Sequence, residues 1–313
     1  MKFLIFLSIT IIEFVFGKYN LVDPNPSCYS MGINYCPKIS NITTNEYMSW
    51  RERTHQLLLN SMRIDPVNFV SNFTNNTMAY ACPIKNTIPF RYSTNSQQAA
   101  KQQSFFLNVT GCKFSHDTCP AYCYLYNNDC AWYTRVKKYE TKWTTLGENI
   151  AISRTDPLSP LKQFSNSSGH CVNLFGTYKN IGIGSIGRIW TQVFTSTSLQ
   201  ENIKNPLYDG THWKGSPLFS LNELHFIANY YDFAVPTNIT VILNNKTSYP
   251  LILKSGTRNR GTYIYRFDNF TSSSCLKYFF QVYVNNTMYK LPEEGFFLTQ
   301  GINNCTINYT PTF

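Results

Sequence analysis

Ten cysteines constrain what this chain can fold into, since every one of them lies beyond residue 27 of the 313-residue sequence. They are Cys28, Cys36, Cys82, Cys112, Cys119, Cys123, Cys130, Cys171, Cys275 and Cys305. An even number of cysteines in an exported chain predicts a framework of disulfides. The close spacing of Cys119, Cys123 and Cys130 raises the alternative of a zinc site, but no paired Cys-x-x-Cys accompanies it. We therefore predict disulfides at these positions.

The first residues predict export. Lys2 gives a positive start, residues 3–12 form a short apolar run, and Val15 and Gly17 suit a signal-peptidase site. We predict a signal peptide over residues 1–17. The run is too short to span a bilayer, which takes about 20 apolar residues, and no later segment supplies a span. Eleven Asn-x-Ser/Thr triplets without proline agree with a secreted, extracellular glycoprotein.

The charge balance restricts the partners. Lys and Arg number 27 against 17 Asp and Glu, which gives a formal net charge of +10. In an exported protein this surplus argues against nucleic acid and favours acidic glycans or anionic membrane surfaces. The basic residues are scattered without a block of five like charges, so a solvated surface with a basic bias stays an alternative.

The chain divides by its patterning. Residues 18–48 hold Cys28 and Cys36 and little periodicity, so we predict a disulfide-stapled leader. Residues 49–198 mix helical and strand patterns and are predicted to form one domain. A polar connector over 199–216 is predicted to be a linker. Residues 217–313 consist of short runs rich in Ile, Val, Tyr and Phe between turn residues, which predicts an all-β, sandwich-like domain.

Several elements can be placed from periodicity. Apolar residues at helical spacing predict two short helices over residues 50–74, with a restart at Asp65-Pro66. A third helix is predicted after a cap at Ser93 or Thr94, ending near Gly111. The glycine-punctuated, β-branched run over 181–193 predicts a hairpin. The fold class is therefore α+β.

The tail contains two cysteines, Cys275 and Cys305, and we predict that they pair with each other. Closing that loop would stabilise the small domain by roughly 3 to 4 kcal/mol in the chain-entropy model. The pairing of the other eight cysteines stays open.

Three residues form the candidate site. His116 lies in the segment "FSHDTC", Glu148 in "TTLGENIAISR" and His170 in "SSGHCVNL". Two imidazoles and a carboxylate are ligands that suit a divalent ion such as zinc, with a fourth position for water. The alternative is a structural cluster in which these groups hydrogen-bond to backbone and to each other.

The order of these segments resembles the CAP superfamily, named for cysteine-rich secretory proteins, antigen 5 and pathogenesis-related proteins, whose domain is also called the SCP domain. "HQLLLNSMRIDPVNF" and "IPFRYSTNSQQAAKQQ" are similar to its first two helices. "SHD", "GENIA" and "SSGHCVNL" are similar to its cavity segments, and "NIGIG" and "RIWTQVF" to its central strands. The resemblance spans about 145 residues. It implies a three-layer α-β-α sandwich in which His116, Glu148 and His170 line one cleft.

The chain departs from the family pattern between Glu148 and His170. Many members carry a second glutamate in that interval, whereas "DPLSPLKQFSNSSG" offers only Asp156. A zinc ion bound by His116, Glu148 and His170 would therefore be weakly held.

Asn149 and Asn173 are expected to brace backbone. The other histidines, His55, His212 and His225, are predicted to be helix-surface, linker and strand residues respectively.

The functional expectation is an extracellular binding protein. The resemblance implies signalling, defence or lipid-binding roles, and such roles need no chemistry. One alternative is a weak metal-dependent hydrolase with Glu148 as base or ligand, although the chain lacks His-Glu-x-x-His and Gly-x-Ser-x-Gly segments. The other alternative is a structural component of a wall or matrix.

Overall fold

The computed structural model describes residues 48–109, 111–196, 204–214, 223–268 and 276–299, and elements are numbered within them. Several predictions lie outside the described residues. They are the signal peptide 1–17, residues 18–47 of the leader with Cys28 and Cys36, and the Cys275–Cys305 pair.

Helices form in the first part of the chain. They are α1 (Trp50–Ile64), α2 (Pro66–Thr74), α3 (Thr94–Asn108), a 3₁₀ helix (Pro120–Tyr126), α4 (Trp132–Tyr139), α5 (Leu158–Ser165) and α6 (Ser168–Leu174). Local sequence sets their starts: Ser49 and Glu52 form a capping box on α1, and Asp65 caps α2 ahead of Pro66. The two helices predicted over 50–74 and the helix capped by Ser93 are confirmed.

The first sheet has the strand order β1-β3-β4-β2. Its strands are β1 (Arg91–Tyr92), β2 (Thr145–Ile152), β3 (Asn180–Ile186) and β4 (Ile189–Ser196). The predicted hairpin is confirmed as β3 and β4, which pair antiparallel from Asn180 opposite Thr195 to Ile186 opposite Ile189.

Helices cover both faces of this sheet. Ile181 and Ile183 point into a core shared with α1, α2, α5 and α6. On the opposite face, a Cβ at Gly182 or Gly184 would collide with the backbone of α3, so these two glycines let the helix lie directly on β3. The arrangement is the predicted three-layer α-β-α sandwich.

Two further sheets form the second part of the chain. One has the order β5-β6-β10-β9 and the other β12-β11-β7-β8, with β13 beside β11. The strands are β5 (Leu207–Lys214), β6 (Leu224–Tyr231), β7 (Asn238–Leu243), β8 (Thr247–Pro250), β9 (Ile252–Thr257), β10 (Arg260–Phe267), β11 (Lys277–Val284), β12 (Thr287–Leu291) and β13 (Phe297–Leu298). Apolar residues of both sheets, including Phe226, Tyr230, Val241 and Phe280, share one core. The α+β class with an all-β C-terminal region is confirmed.

The predicted linker over 199–216 is partly wrong, because Leu207–Lys214 within it form strand β5. The polar residues of this connector suggested exposure to solvent, yet those in β5 face other protein groups. His212, predicted to be a linker residue, is buried in this strand and its Nδ1 lies 2.8 Å from the hydroxyl of Tyr278. His225 lies in β6, as predicted.

Helix α1 is buried between the first sheet and the β5-β6-β10-β9 sheet. Thr54 Oγ1 lies 3.2 Å from Thr211 Oγ1, and Ser61 Oγ donates to Asn229 Oδ1 at 3.0 Å. Apolar residues of α1 share a core with Trp213, Ile227 and Ile264 of that sheet. The division into two independently folded domains stays a prediction.

Three disulfides join described cysteines: Cys82–Cys171, Cys112–Cys119 and Cys123–Cys130. The prediction of disulfides over zinc at residues 119–130 is confirmed. Within the described ranges, no helix has the length and apolarity needed to cross a membrane.

Candidate functional site

The three candidate residues lie on different elements. Glu148 is on β2 opposite Val193 of β4, His116 is in the connection after α3, and His170 is in α6. The His116 connection is anchored from α3, because Gln103 Nε2 donates to the carbonyls of Ser115 at 2.7 Å and of His116 at 3.1 Å. The disulfide between Cys82 and Cys171 ties down α6 directly beside His170.

The carboxylate of Glu148 is held on both oxygens. His116 Nδ1 lies 3.0 Å from Oε1, and Nη2 of Arg135 in α4 forms an ion pair with Oε2. The Glu148 and Arg135 side chains are almost fully buried, whereas the His116 side chain is 45% exposed. The structure therefore brings His116 and Glu148 together, with the imidazole oriented by a carboxylate that a buried guanidinium neutralises.

Arg135 also organises the loop around the site. Its Nη1 donates to the His116 carbonyl at 3.2 Å and to Thr118 Oγ1 at 3.3 Å. One side chain thus fixes both the carboxylate and the backbone of the histidine that the carboxylate contacts.

His170 approaches the same cluster without a hydrogen bond to it. Burial, together with the charge of nearby His116, lowers the pKa of His170. Its Nδ1 is buried and has no hydrogen-bond partner in the described part of the chain. The ring packs edge-on against Phe164, with centroids 5.3 Å apart. Nδ1 of His170 is consequently a buried nitrogen beside the cluster that no described group engages.

The side chains as placed do not fit a shared metal ion. No group of three or more His, Cys, Asp or Glu side chains in the described ranges is arranged to hold one. The physical reason is Arg135: its guanidinium occupies the Glu148 oxygen that a cation would need and would repel that cation. Weak zinc binding at His116, Glu148 and His170 therefore stays a prediction, without a metal-holding group among the described side chains.

A chain of side-chain amides lies behind the site. Asn149 Nδ2 donates to the His170 carbonyl at 3.2 Å and to Gln192 Oε1 at 2.9 Å. Asn173 Nδ2 donates to the Glu148 carbonyl at 3.3 Å and to Asn149 Oδ1 at 2.9 Å. The predicted bracing role of Asn149 and Asn173 agrees with these bonds.

The chain continues to His55, for which the prediction of a helix-surface position is wrong. The ring is fully buried, with Nδ1 2.7 Å from the Pro157 carbonyl and Nε2 2.7 Å from Gln192 Nε2. Donation from Nδ1 to the carbonyl leaves Nε2 to accept from the Gln192 amide, which requires a neutral ring. Burial accordingly lowers the pKa of His55 to about 4.

Sequence reasoning missed Arg135. Trp132, Val136 and Tyr139 of α4 pack toward α3 at helical spacing, and Arg135 lies on the same side of the helix. A charged residue on an otherwise apolar helical stripe is the signal that could have identified a buried ion pair.

Comparison with known proteins gives partial likenesses only. No protein family and no curated protein matches the chain. The chain is similar to an extracellular protein containing an SCP domain from Bacillus anthracis str. Ames, at 20% identity and a TM-score of 0.34. That alignment covers 50% of this chain and 45% of the other, so the chain spans less than half the length of that protein.

A second solved structure is the Br derivative of BhCBM56. It is 19% identical, with a TM-score of 0.22, over 30% of this chain and 92% of that chain. Similarities at these scores carry no argument about ligand or activity.

Proposed function

We propose that the protein is a secreted, disulfide-braced binding protein of CAP type, whose cleft at His116, Glu148 and His170 recognises an extracellular lipid, glycan or protein ligand. One observation carries the proposal: both oxygens of Glu148 are engaged by protein groups, Oε1 by His116 at 3.0 Å and Oε2 by the guanidinium of Arg135. A carboxylate held in this way is a fixed polar group that orients the partly exposed imidazole of His116.

The disulfides support export. Three pairs join described cysteines, and such bonds persist in oxidising compartments. The sequence adds the predicted signal peptide and the Asn-x-Ser/Thr triplets.

A ligand would find two different imidazoles in this cleft. His116 is partly exposed and oriented by Glu148, while His170 has a buried Nδ1 without a partner in the described ranges. The unused nitrogen of a neutral imidazole accepts or donates one hydrogen bond according to its tautomer. The two imidazoles are suited to hydrogen-bond one polar group, such as a hydroxyl, of an otherwise apolar ligand.

Hydrolysis is the second candidate, favoured by the contact between His116 and Glu148. A carboxylate that orients an imidazole is the base half of a nucleophilic site. In the described part of the chain, however, no hydroxyl or thiol is hydrogen-bonded to the His116 ring. A metal-dependent route has less support, because Arg135 occupies the carboxylate.

The test is equilibrium binding of the secreted full-length protein to defined lipids and defined glycans, with the bound compound recovered and weighed by mass spectrometry. We expect His116→Ala and His170→Ala each to weaken one ligand class about tenfold, and the recovered compound to be unchanged. Lys142→Ala, at an exposed position, is the control and should bind as the wild type does.

Two outcomes would contradict the proposal. If the double variant His116→Ala/His170→Ala retained every ligand, the cleft would not be the binding site. Conversion of a ligand at a rate abolished by Glu148→Gln would make the domain an enzyme. A zinc titration completes the test. Zinc binding by the wild type that is tighter than micromolar, and that His170→Ala abolishes, would support a metal site instead.

A further inference from the structure

Two arginines and three aromatic rings form a continuous row of contacts at the junction of the two parts of the chain. We name it the arginine–aromatic ladder, and it consists of Arg91, Tyr208, Tyr231, Arg260 and Phe233. The Arg91 guanidinium carbon lies 3.4 Å from the centroid of the Tyr208 ring, and the Tyr208 and Tyr231 centroids are 5.7 Å apart. The Arg260 guanidinium carbon lies 5.1 Å from the Tyr231 centroid and 5.4 Å from that of Phe233.

The strands explain why these residues meet. Tyr208 occupies the register shift in β5 between Leu207 and Asp209, and a bulge at such a point redirects a side chain. Tyr231 and Arg260 are cross-strand partners in β6 and β10. Arg91 comes from β1 of the first sheet, so the ladder spans the junction between the α-β-α sandwich and the β region.

The loop that carries Phe233 is held in place. Asp232 Oδ1 accepts from the backbone N–H of Phe233 at 2.5 Å and of Ala234 at 3.2 Å. Asn259 Nδ2 donates to the Phe233 carbonyl at 3.4 Å, which joins this loop to the turn before β10. Phe233 is nevertheless 89% exposed. A single exposed phenylalanine means little, but here a fixed loop presents it next to a stacked arginine.

The charge of this surface is not balanced. Arg258 and Arg260 are both exposed, and neither forms a salt bridge within the described ranges. Asp232 is the acidic residue of the adjacent loop, and its single negative charge is outnumbered by the two arginines. A guanidinium stacked on a ring keeps its N–H donors at its edge, where they can bind a sulfate or carboxylate in bidentate fashion.

We propose that the arginine–aromatic ladder binds a linear, anionic polysaccharide, with its sulfate or carboxylate groups on Arg260 and a sugar face on Phe233. A polymer suits the site because the ladder residues lie in a row, from the first sheet across the β5-β6-β10-β9 sheet, that an extended chain can follow. An anionic membrane suits it less, because Phe233 is the one apolar ladder residue whose side chain is exposed, and a single ring gives little surface to insert. The net charge of +10 favours polyanions in general. This surface differs from the cleft, and the proposal holds whether or not the cleft binds a ligand.

The experiment measures binding of the secreted full-length protein to heparin and to polygalacturonate, with neutral dextran as the uncharged probe. We expect binding to heparin or polygalacturonate that weakens with salt, and none to dextran. Arg260→Gln should weaken it about tenfold, since a charge-assisted contact is lost, and Phe233→Ala by a similar factor. Arg260→Lys keeps the charge but loses the planar fork, so its loss should be intermediate.

Arg266→Gln is the matched control. Arg266 is also an exposed arginine of β10, but Glu223 and Asp268 already pair with it. The control removes the same formal charge and should leave polysaccharide binding unchanged. Thermal unfolding of each variant checks that the fold is intact.

Three results would overturn the proposal. Equal losses in Arg266→Gln and Arg260→Gln would mean that net charge alone attracts the polymer. Unchanged binding by Phe233→Ala would remove the aromatic contact. Binding to phosphatidylserine vesicles, lost in the same ladder variants while neither polysaccharide binds, would assign the surface to membranes.

Discussion

Replacing Arg135 by methionine tests the arrangement around Glu148. Methionine keeps much of the side-chain volume but removes the cation, so Glu148 Oε2 is left buried without its partner. The carbonyl of His116 also loses one of its two donors, keeping Gln103, and the hydroxyl of Thr118 loses the donor from Arg135. Breaking one side of a buried ion pair costs about 3–5 kcal/mol, and we expect a loss of this size in the free energy of unfolding.

A double-mutant cycle separates the pair from its surroundings. Glu148→Gln leaves the buried Arg135 without a counter-charge, so it should also destabilise the fold. The double variant Arg135→Met/Glu148→Gln removes both charges, and its loss should fall short of the sum of the single losses by about 2 kcal/mol or more. The measurement is urea unfolding with the disulfides intact.

The control for this cycle is Arg266→Met. That arginine is exposed and pairs with Glu223 and Asp268, so its removal should change the free energy of unfolding by less than about 1 kcal/mol. Additive single effects, with a coupling below about 0.5 kcal/mol, would refute the buried pair. A stabilisation by added zinc that Glu148→Gln abolishes would refute it as well, because the carboxylate would then be free to bind a cation.

Three further predictions follow from buried groups. Burial raises the pKa of Asp209 to about 7, above the ordinary value of about 3.9, so its contribution to stability is full at low pH and is lost as pH rises toward 7. Unfolding measured between about pH 4 and pH 7 should show this decline, and Asp209→Asn should remove it. Replacing Cys82 and Cys171 by serine opens a loop with a sequence separation of 89 and should cost about 4.5 kcal/mol in the chain-entropy model, read as a lower melting temperature. Limited proteolysis after deglycosylation should cut the connector that precedes β5, and the two fragments should stay associated in gel filtration because α1 is buried against both parts; separate elution would contradict this.

The sequence predicted elements well where an apolar stripe or a cap defines them. Helix α1 shows both the success and its limit. Its start at Ser49 and its apolar positions agree with the periodicity, but its polar residues Asn60 and Ser61 are buried too. A polar side chain in a helical pattern looks the same whether it faces water or a matching polar group, so the pattern could not reveal that a second sheet covers α1.

The same reason explains the errors at His55 and His212. Both were assigned to polar surroundings, and both are buried with hydrogen-bond partners distant in sequence: Gln192 for His55 and Tyr278 for His212. Such partners depend on how elements pack, which local sequence does not encode.

The candidate site was predictable in part. The resemblance brought His116 and Glu148 into one expected cleft, and the structure has them in contact at 3.0 Å. The resemblance indicated His116, Glu148 and His170 but not the Arg135 guanidinium that pairs with Glu148, so zinc was the expected cation. Arg135 changes that chemistry, because its guanidinium already provides the positive charge that the buried Glu148 carboxylate needs.

The junction between the two parts links stability to recognition. Asp209 of β5 accepts from Asn60 Nδ2 of α1 at 2.5 Å and from Asn229 Nδ2 of β6 at 2.7 Å. The charge of Arg91 opposes the rise in the pKa of Asp209, which indicates that the arginine lies near this carboxyl group while it stacks on Tyr208. Strand β5 therefore carries the ladder residue Tyr208 directly before the buried acid Asp209. Arg91 belongs to β1 of the first sheet and Tyr208 to β5, so the ladder is continuous only while the two parts remain packed together.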